Sequence, residues 1–312
     1  MSAPITEPTK VDGAGVPPQR TVKKAPPRPG DKRTEGMALN VFSHGFLALW
    51  AILIILPLLW LVLSSFKTDT QIGGSALGWP TNWQLDVFSR AWNKGIGDYF
   101  ANTLIVLVFS VPLTMLLGAM AAYVLARYEF PGNRLIYYFF VGGAMFPVFL
   151  ALVPLFFMVK RLDMLNSYQG LILVYVAYSL PFTVFFMHAF FRTLPGAVFE
   201  AAVLDGASHT RAFFQVMLPM AKPGLLSVGI FNVLGQWNQY ILPSVLMQPQ
   251  SSSDPERYVL TQGLIQLQQQ QGYATDLPVL FAGVTIAMIP MLIVYLSFQR
   301  QVQAGLTSAT LK

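Results

Sequence analysis

The sequence predicts an all-α polytopic membrane protein with six transmembrane helices, and three observations predict it. Of its 312 residues, 54% are hydrophobic and only 11% charged, whereas a soluble domain carries about a quarter charged. Apolar runs recur that reach the ~20 residues a helix needs to cross the hydrocarbon core. These runs do not alternate apolar with polar, which excludes a β-barrel, the other backbone able to satisfy its hydrogen bonds in lipid. Cysteine is absent, so disulfides, thiolate nucleophiles and cysteine–metal sites are excluded.

In chain order, residues 1–40 hold seven prolines and seven Lys/Arg with few large apolar side chains. They read as a disordered basic tail, and not as a signal peptide, because no small-residue cleavage site follows the apolar run. The membrane domain is residues 41–312. Its first span is predicted over 44–66, ending Ser64-Ser65-Phe66-Lys67. A loop to about residue 98 follows, with Trp79, Pro80, Trp83 and Trp92, and tryptophans suit a membrane–water boundary. The second span is 99–126. The third, 135–159, contains Pro147 and Pro154, each expected to kink it by freeing a carbonyl one turn earlier. The fourth is 169–191, with Pro181 inside. A polar loop at 192–222 separates it from the fifth, 223–247, and the sixth is 278–298. Between these last two, the Leu260/Leu264/Leu267 spacing ahead of four glutamines at 268–271 predicts a short helix lying on the outer surface.

Six spans place both termini on one side, and basic residues indicate which. Fourteen Lys/Arg fall on the side of the tail and six on the other, which predicts cytoplasmic termini in a bacterial plasma membrane. Much of the formal charge of +6 lies in the tail, and it is no nucleic-acid signature.

The 192–222 loop has its own design. A short helix is expected from Pro195 to Leu204, with proline in its opening turn. Gly206 suits a left-handed turn that closes it. Ser208 suits the N-cap of a second helix, which Pro219 should stop after Leu218. Glu200-Ala201-Ala202, then Asp205-Gly206, then Val216-x-Leu218-Pro219 resembles the EAA loop of ATP-binding-cassette importer permeases, with Val216 where isoleucine is usual. Further matches are Ser64-Ser65-Phe66-Lys67, residues 121–127 with Phe130 and Gly132, Leu165-Asn166-x-x-x-Gly170, Leu180-Pro181-Phe182, Trp237-Asn238, Phe298-Gln299-Arg300 and Gly305-Leu306-Thr307. Together they look like the carbohydrate branch, its MalG-like half, over roughly residues 42–312.

The resemblance implies a type I importer permease architecture in which Glu200, Ala201, Ala202, Asp205, Gly206, Leu218 and Pro219 form the coupling element that docks on an ATPase subunit. It implies a second homologous permease, two ATPase subunits, an extracytoplasmic solute-binding protein and a sugar substrate. ATP and Mg would be used by the partner subunits, and no cofactor is expected on this chain.

Enzymatic signals fail. Gly73-x-x-x-x-Gly78 has P-loop glycine spacing, but Trp79 follows where lysine is required. His44, His188 and His209 lack a carboxylate or cysteine at ligand spacing, and His188 reads as a packed bundle residue. No Gly-x-Ser-x-Gly elbow occurs.

The fifth span carries the chemistry. Uncharged amides are costly against lipid, so they should face protein or water. On an unbroken helix Asn232, Gln236, Gln239 and Tyr240 share an arc of roughly 100°. Amides and rings without fixed charge suit a neutral polyhydroxylated solute. Trp237 and Asn238 lie off that arc and suit packing or hydrogen bonding between helices, with Asn238 the weaker pathway candidate. Pro243 should kink the helix near Gln239. The structural alternative is that these amides bind helix to helix. Two functional alternatives stand beside the sugar importer. A permease of the same superfamily for a non-sugar solute such as a polyamine would need carboxylates along its path. A secondary transporter would need intramembrane ionisable residues. The predicted spans hold essentially no Asp or Glu.

Overall fold

In a computed structural model the protein is described over residues 32–271 and 276–310. The rest of the predicted tail, 1–31, lies outside the described residues. The chain divides into two compact units, residues 1–55 and 56–312. The first is helical from Lys32 onward, within the segment whose composition suggests a tail, and its residues from Val41 to Ile55 expose apolar side chains. That helix, α1 (Lys32–Ser65), ends in the second unit, where Ser64 and Ser65 are fully buried.

The region after α1, expected as loop, contains two short helices, α2 (Asp69–Gly74) and α3 (Val87–Ala91). A capping box starts α2: Thr68 Oγ1 accepts from Gln71 N–H at 3.3 Å, and Gln71 Oε1 from Thr68 N–H at 3.3 Å. The carbonyl of Ala76 accepts both from the buried Lys67 ammonium and from Trp60 Nε1, each at 2.7 Å. Both lone pairs are therefore used, which gives the lysine a partner despite its 1% exposure. A kink at Lys94–Gly95, with Gly95 at φ +107°, joins α3 to α4 (Gly97–Arg127).

Helices α4 and α7 (Tyr168–Thr193) are the centre of the bundle, and they run parallel. At one end Tyr168 OH donates to Asn102 Oδ1 at 2.7 Å. At the other, Arg127 Nη2 donates to the Phe191 and Leu194 carbonyls at 2.8 and 2.7 Å. Between them Gly118 meets Thr183: a Cβ there would lie 2.5 Å from Thr183 Cγ2, the close approach that small residues permit in membrane bundles.

Because α4 and α7 are parallel, the segment joining them must cross back. That segment is α5 (Asn133–Met145) and α6 (Val148–Arg161), bent by 102° at Phe146–Pro147. Proline disfavours helical φ/ψ in the residue before it, and Phe146 is extended at φ −75°, ψ 124°. Pro147 therefore breaks the span, whereas Pro154 lies inside α6 without ending it. α11 (Lys222–Trp237) runs antiparallel to both central helices, with Asn232 at Thr183 and Gln236 at Ser179. It is followed by α12 (Ile241–Leu246), whose Leu242 and Leu246 pack with Val159 and Leu171 at the far end. α14 (Leu277–Thr310) returns along α11, and Ser227 Oγ donates to the Gln301 carbonyl at 3.0 Å. By length and composition the described residues hold four helices able to cross a membrane, or up to six if each of the two sharply bent helix pairs counts as one crossing.

α13 (Leu260–Gln271) forms where the leucine spacing predicts it, but Leu260 and Leu267 are buried in the core. Gly263 lies directly on Tyr99, where a Cβ would come within 2.1 Å of the ring.

Candidate functional site

Two features stand out, one outside the bundle and one inside. The first is the 192–222 loop. Pro195 precedes α8 (Gly196–Leu204), whose end is a full Schellman turn. Ala207 N–H reaches the Ala202 carbonyl at 2.9 Å and Gly206 N–H the Val203 carbonyl at 3.0 Å, with Gly206 at φ +82°. Ser208 Oγ then accepts from Arg211 N–H at 3.3 Å and starts α9 (His209–Ala212). A π-helical stretch, Phe213–Met217, continues it into α10 (Leu218–Met220). Pro219 is expected to stop this helix, and the helix ends one residue beyond it, at Met220. The proline sits in the first turn after the widened π turn, where the pyrrolidine no longer meets an α-helical carbonyl four residues back.

Aromatic packing fastens the loop to the ends of the central helices. Tyr123 of α4 packs tilted against Phe213 at 4.9 Å between ring centres and edge-on against Phe199 at 6.3 Å, and it meets Phe191 of α7 edge-on at 5.6 Å. Tyr128 OH lies 2.9 Å from His209 Nδ1. The opposite face of α8 is uncovered: Glu200, Ala201, Asp205 and Gly206 are exposed, and Leu204 is 87% exposed. Ala202 and Leu218 are half-buried, and Pro219 is exposed. No atom lies within 4 Å of where a Gly206 Cβ would stand.

The second feature is a cavity of about 320 Å³ against the α5–α6 break. α11 contributes Phe231, Asn232 and Gln236, and α7 contributes Tyr175, Tyr178, Ser179 and Phe182, with Phe146 from the break itself. No charged side chain lines it. Asn232 and Gln236 are also tied into the bundle. Asn232 Nδ2 donates to Thr183 Oγ1 at 2.9 Å, and Gln236 Nε2 donates to Ser179 Oγ at 3.1 Å, while Gln236 Oε1 accepts from Ser110 Oγ. Each amide thus both lines space and joins helices.

The arc inferred for an unbroken helix is not maintained. α11 ends at Trp237, six residues before Pro243, so Gln239 and Tyr240 leave the helical register. Gln239 still reaches the cavity, and its carbonyl accepts from Thr261 Oγ1 at 2.7 Å. Tyr240 is 36% exposed and does not line the cavity. Asn238 is exposed, and its amide donates to the Leu234 carbonyl of its own helix at 2.8 Å. Trp237 packs edge-on to Phe100, 5.6 Å between rings. The α7 residues were missed from the sequence, although Tyr175, Tyr178 and Ser179 stand at i, i+3 and i+4, one polar-edged stripe in an apolar span.

An all-helical chain with four to six candidate crossings, an uncharged half-open cavity and one structured loop packed on its central helices has the make-up of a multi-pass membrane transport component. The model of the family described as "Binding-protein-dependent transport system inner membrane component" matches residues 114–308, and the chain belongs to that family. It is 49% identical over 271 residues to the diacetylchitobiose uptake system permease protein NgcG of Streptomyces coelicolor, covering 86% of this chain and 88% of that one. It is 32% identical over 268 residues to the trehalose transport system permease protein SugB of Mycobacterium tuberculosis, covering 83% and 92%. Among solved structures, a bacterial ABC transporter that imports the acidic polysaccharide alginate matches with a TM-score of 0.73 at 20% identity, over 88% of this chain and 99% of that one. At that identity the likeness concerns the fold.

Proposed function

We propose that this chain is one of two permease subunits of an ATP-driven importer for a neutral sugar or short oligosaccharide. The observation that carries the substrate class is the cavity lining: two tyrosines, phenylalanines and the amides of Asn232, Gln236 and Gln239, without a charged side chain. Rings stack on sugar faces and amides pair with hydroxyls. A polyamine path would need carboxylates, and a proton-coupled carrier an intramembrane ionisable group; the cavity lining holds neither. Relatives named for diacetylchitobiose and trehalose agree with the class.

In this reading ATP hydrolysis belongs to two partner ATPase subunits, and this chain binds no nucleotide, metal or cofactor. A solute-binding protein delivers the sugar on the outer side, and both termini lie in the cytoplasm, following the fourteen-to-six distribution of basic residues. The exposed face of α8, with Glu200, Ala201, Ala202, Asp205 and Gly206, docks in a cleft of one ATPase, and Leu218 and Pro219 hold the following helix in place. Motion of α8 passes through Phe199 and Phe213 to Tyr123 and Phe191, the inner ends of α4 and α7. Because α7 also lines the cavity, tilting it opens the cavity alternately to the two sides.

The test is uptake by the assembled complex in proteoliposomes, with diacetylchitobiose, trehalose and putrescine as candidates. ATP-dependent accumulation of a sugar, with a raised KM in Gln239→Leu, is expected. Accumulation without ATP, or of putrescine alone, would overturn the reading. A reporter active only outside the cytoplasm, fused after Lys312, should stay silent; a strong signal would invert the topology.

A further inference from the structure

A second cavity opens at the end of the bundle where α4 and α7 finish. It measures about 720 Å³. Arg127, Arg134 and Arg192 line it, with Glu129 as its one carboxylate, so three guanidiniums face one acid. Arg134 and Arg192 are exposed and form no salt bridge among the described residues. Arg127 is committed in part: its Nη2 holds two carbonyls at the end of α7, while its Nε is buried without a partner. The first turn of α5, which also lines the cavity, carries no side-chain cap, and helix N-termini attract anions. The lip is apolar. Leu135 and Tyr138, both lining residues, are 64% and 65% exposed on a helix that crosses the membrane.

We propose that this cavity binds the phosphodiester of an anionic phospholipid from the cytoplasmic leaflet. Excess guanidinium charge draws the phosphate, and the exposed Leu135 and Tyr138 lie against the acyl chains. Basic pockets between membrane helices at the cytoplasmic face suit such headgroups. The assignment to that leaflet rests on the topology proposed above. The site adjoins the loop: Arg127 Nη1 and Glu200 Oε1 both lie 3.9 Å from the point where a Gly196 Cβ would stand, and Tyr128, another lining residue, reaches His209. A bound headgroup therefore braces the floor on which α8 sits, and the lipid promotes sugar-stimulated ATP hydrolysis.

The experiment uses the whole complex, with permease pair, ATPases and binding protein, in nanodiscs of phosphatidylcholine alone or with phosphatidylglycerol. Native mass spectrometry reads retained lipid, and stimulated ATPase activity is measured beside it. Each guanidinium near a headgroup contributes about a fivefold affinity factor, so Arg134→Gln with Arg192→Gln should lower phosphatidylglycerol retention about 25-fold and remove its stimulation. Both residues are exposed, so folding is preserved, and Arg161→Gln, at the other end of the bundle, should change neither reading. Inorganic phosphate added to phosphatidylcholine discs should not substitute; equal stimulation by it would assign the site to a free anion and overturn the lipid. Equal retention of both lipids by wild type would also overturn the proposal. So would lipid expelled when the ATPases bind, with the arginine variants losing ATPase recruitment, because the cavity would then be a protein contact. Lipid retention is read without transport, so failure of sugar uptake would count against the proposed function and leave this site standing.

Discussion

Replacing Gln236 by Leu separates the two duties of the amides in α11. The change keeps a similar volume but removes two side-chain hydrogen bonds, one to Ser110 on α4 and one to Ser179 on α7. Side-chain bonds between membrane helices average about 0.6 kcal/mol and reach about 1.7, which sets a loss of about 1–3 kcal/mol. Ser110 is fully buried and Ser179 is 7% exposed. Each hydroxyl can fall back on the carbonyl one turn earlier in its own helix, so the lower half of that range is expected. At about 2–4 °C per kcal/mol for a large chain, thermal unfolding in detergent should move down by about 2–8 °C. Gln236 also lines the cavity, so the sugar KM should rise. Ser110 does not line it, and Ser110→Ala should lower the melting temperature while leaving KM unchanged. The double variant should melt less than additively below wild type, with a coupling of about 0.5–1.5 kcal/mol. Full additivity, or a KM effect of Ser110→Ala as large as that of Gln236→Leu, would refute the assignment of one side chain to both roles.

Two further substitutions test the loop and its counterpart at the other end. Gly206→Val places a branched side chain at φ +82° in open space, so the cost is backbone strain of roughly 1–2 kcal/mol. The permease should insert normally while ATPase recruitment or sugar-stimulated uptake falls; normal values of both would exclude the loop as the coupling element. Gly170→Ala puts a Cβ 2.2 Å from the Met164 carbonyl oxygen, where backbone has to move, at a cost of about 1–3 kcal/mol. Melting of the purified subunit should drop by several degrees, and an unchanged value would mean that this turn gives way freely.

Much of the sequence reading survives in the structure because it rests on local rules. Gly206 has positive φ, Ser208 caps, and the apolar runs become crossings, since each follows from the chain's own backbone or from the solvent around it. The motif Leu165-Asn166-x-x-x-Gly170 was legible only as a resemblance, and its reason is tertiary. Asn166 sits at φ +50°, its N–H reaches the Leu246 carbonyl at 2.8 Å, and its amide reaches the Pro255 carbonyl at 3.0 Å. Both partners lie far away in sequence.

What the sequence by itself determined is the membrane class, the crossings and the caps, because lipid imposes hydropathy and backbone satisfaction on every segment separately. Only the tertiary structure decided that, of the two expected kinks, Pro147 became a 102° break and Pro154 did not, and that α11 ends early at Trp237. It also decided that α7 lines the cavity with α11. A helical wheel assumes continuity, and that continuity is lost or kept according to which neighbours can satisfy the backbone groups a proline or a π turn sets free.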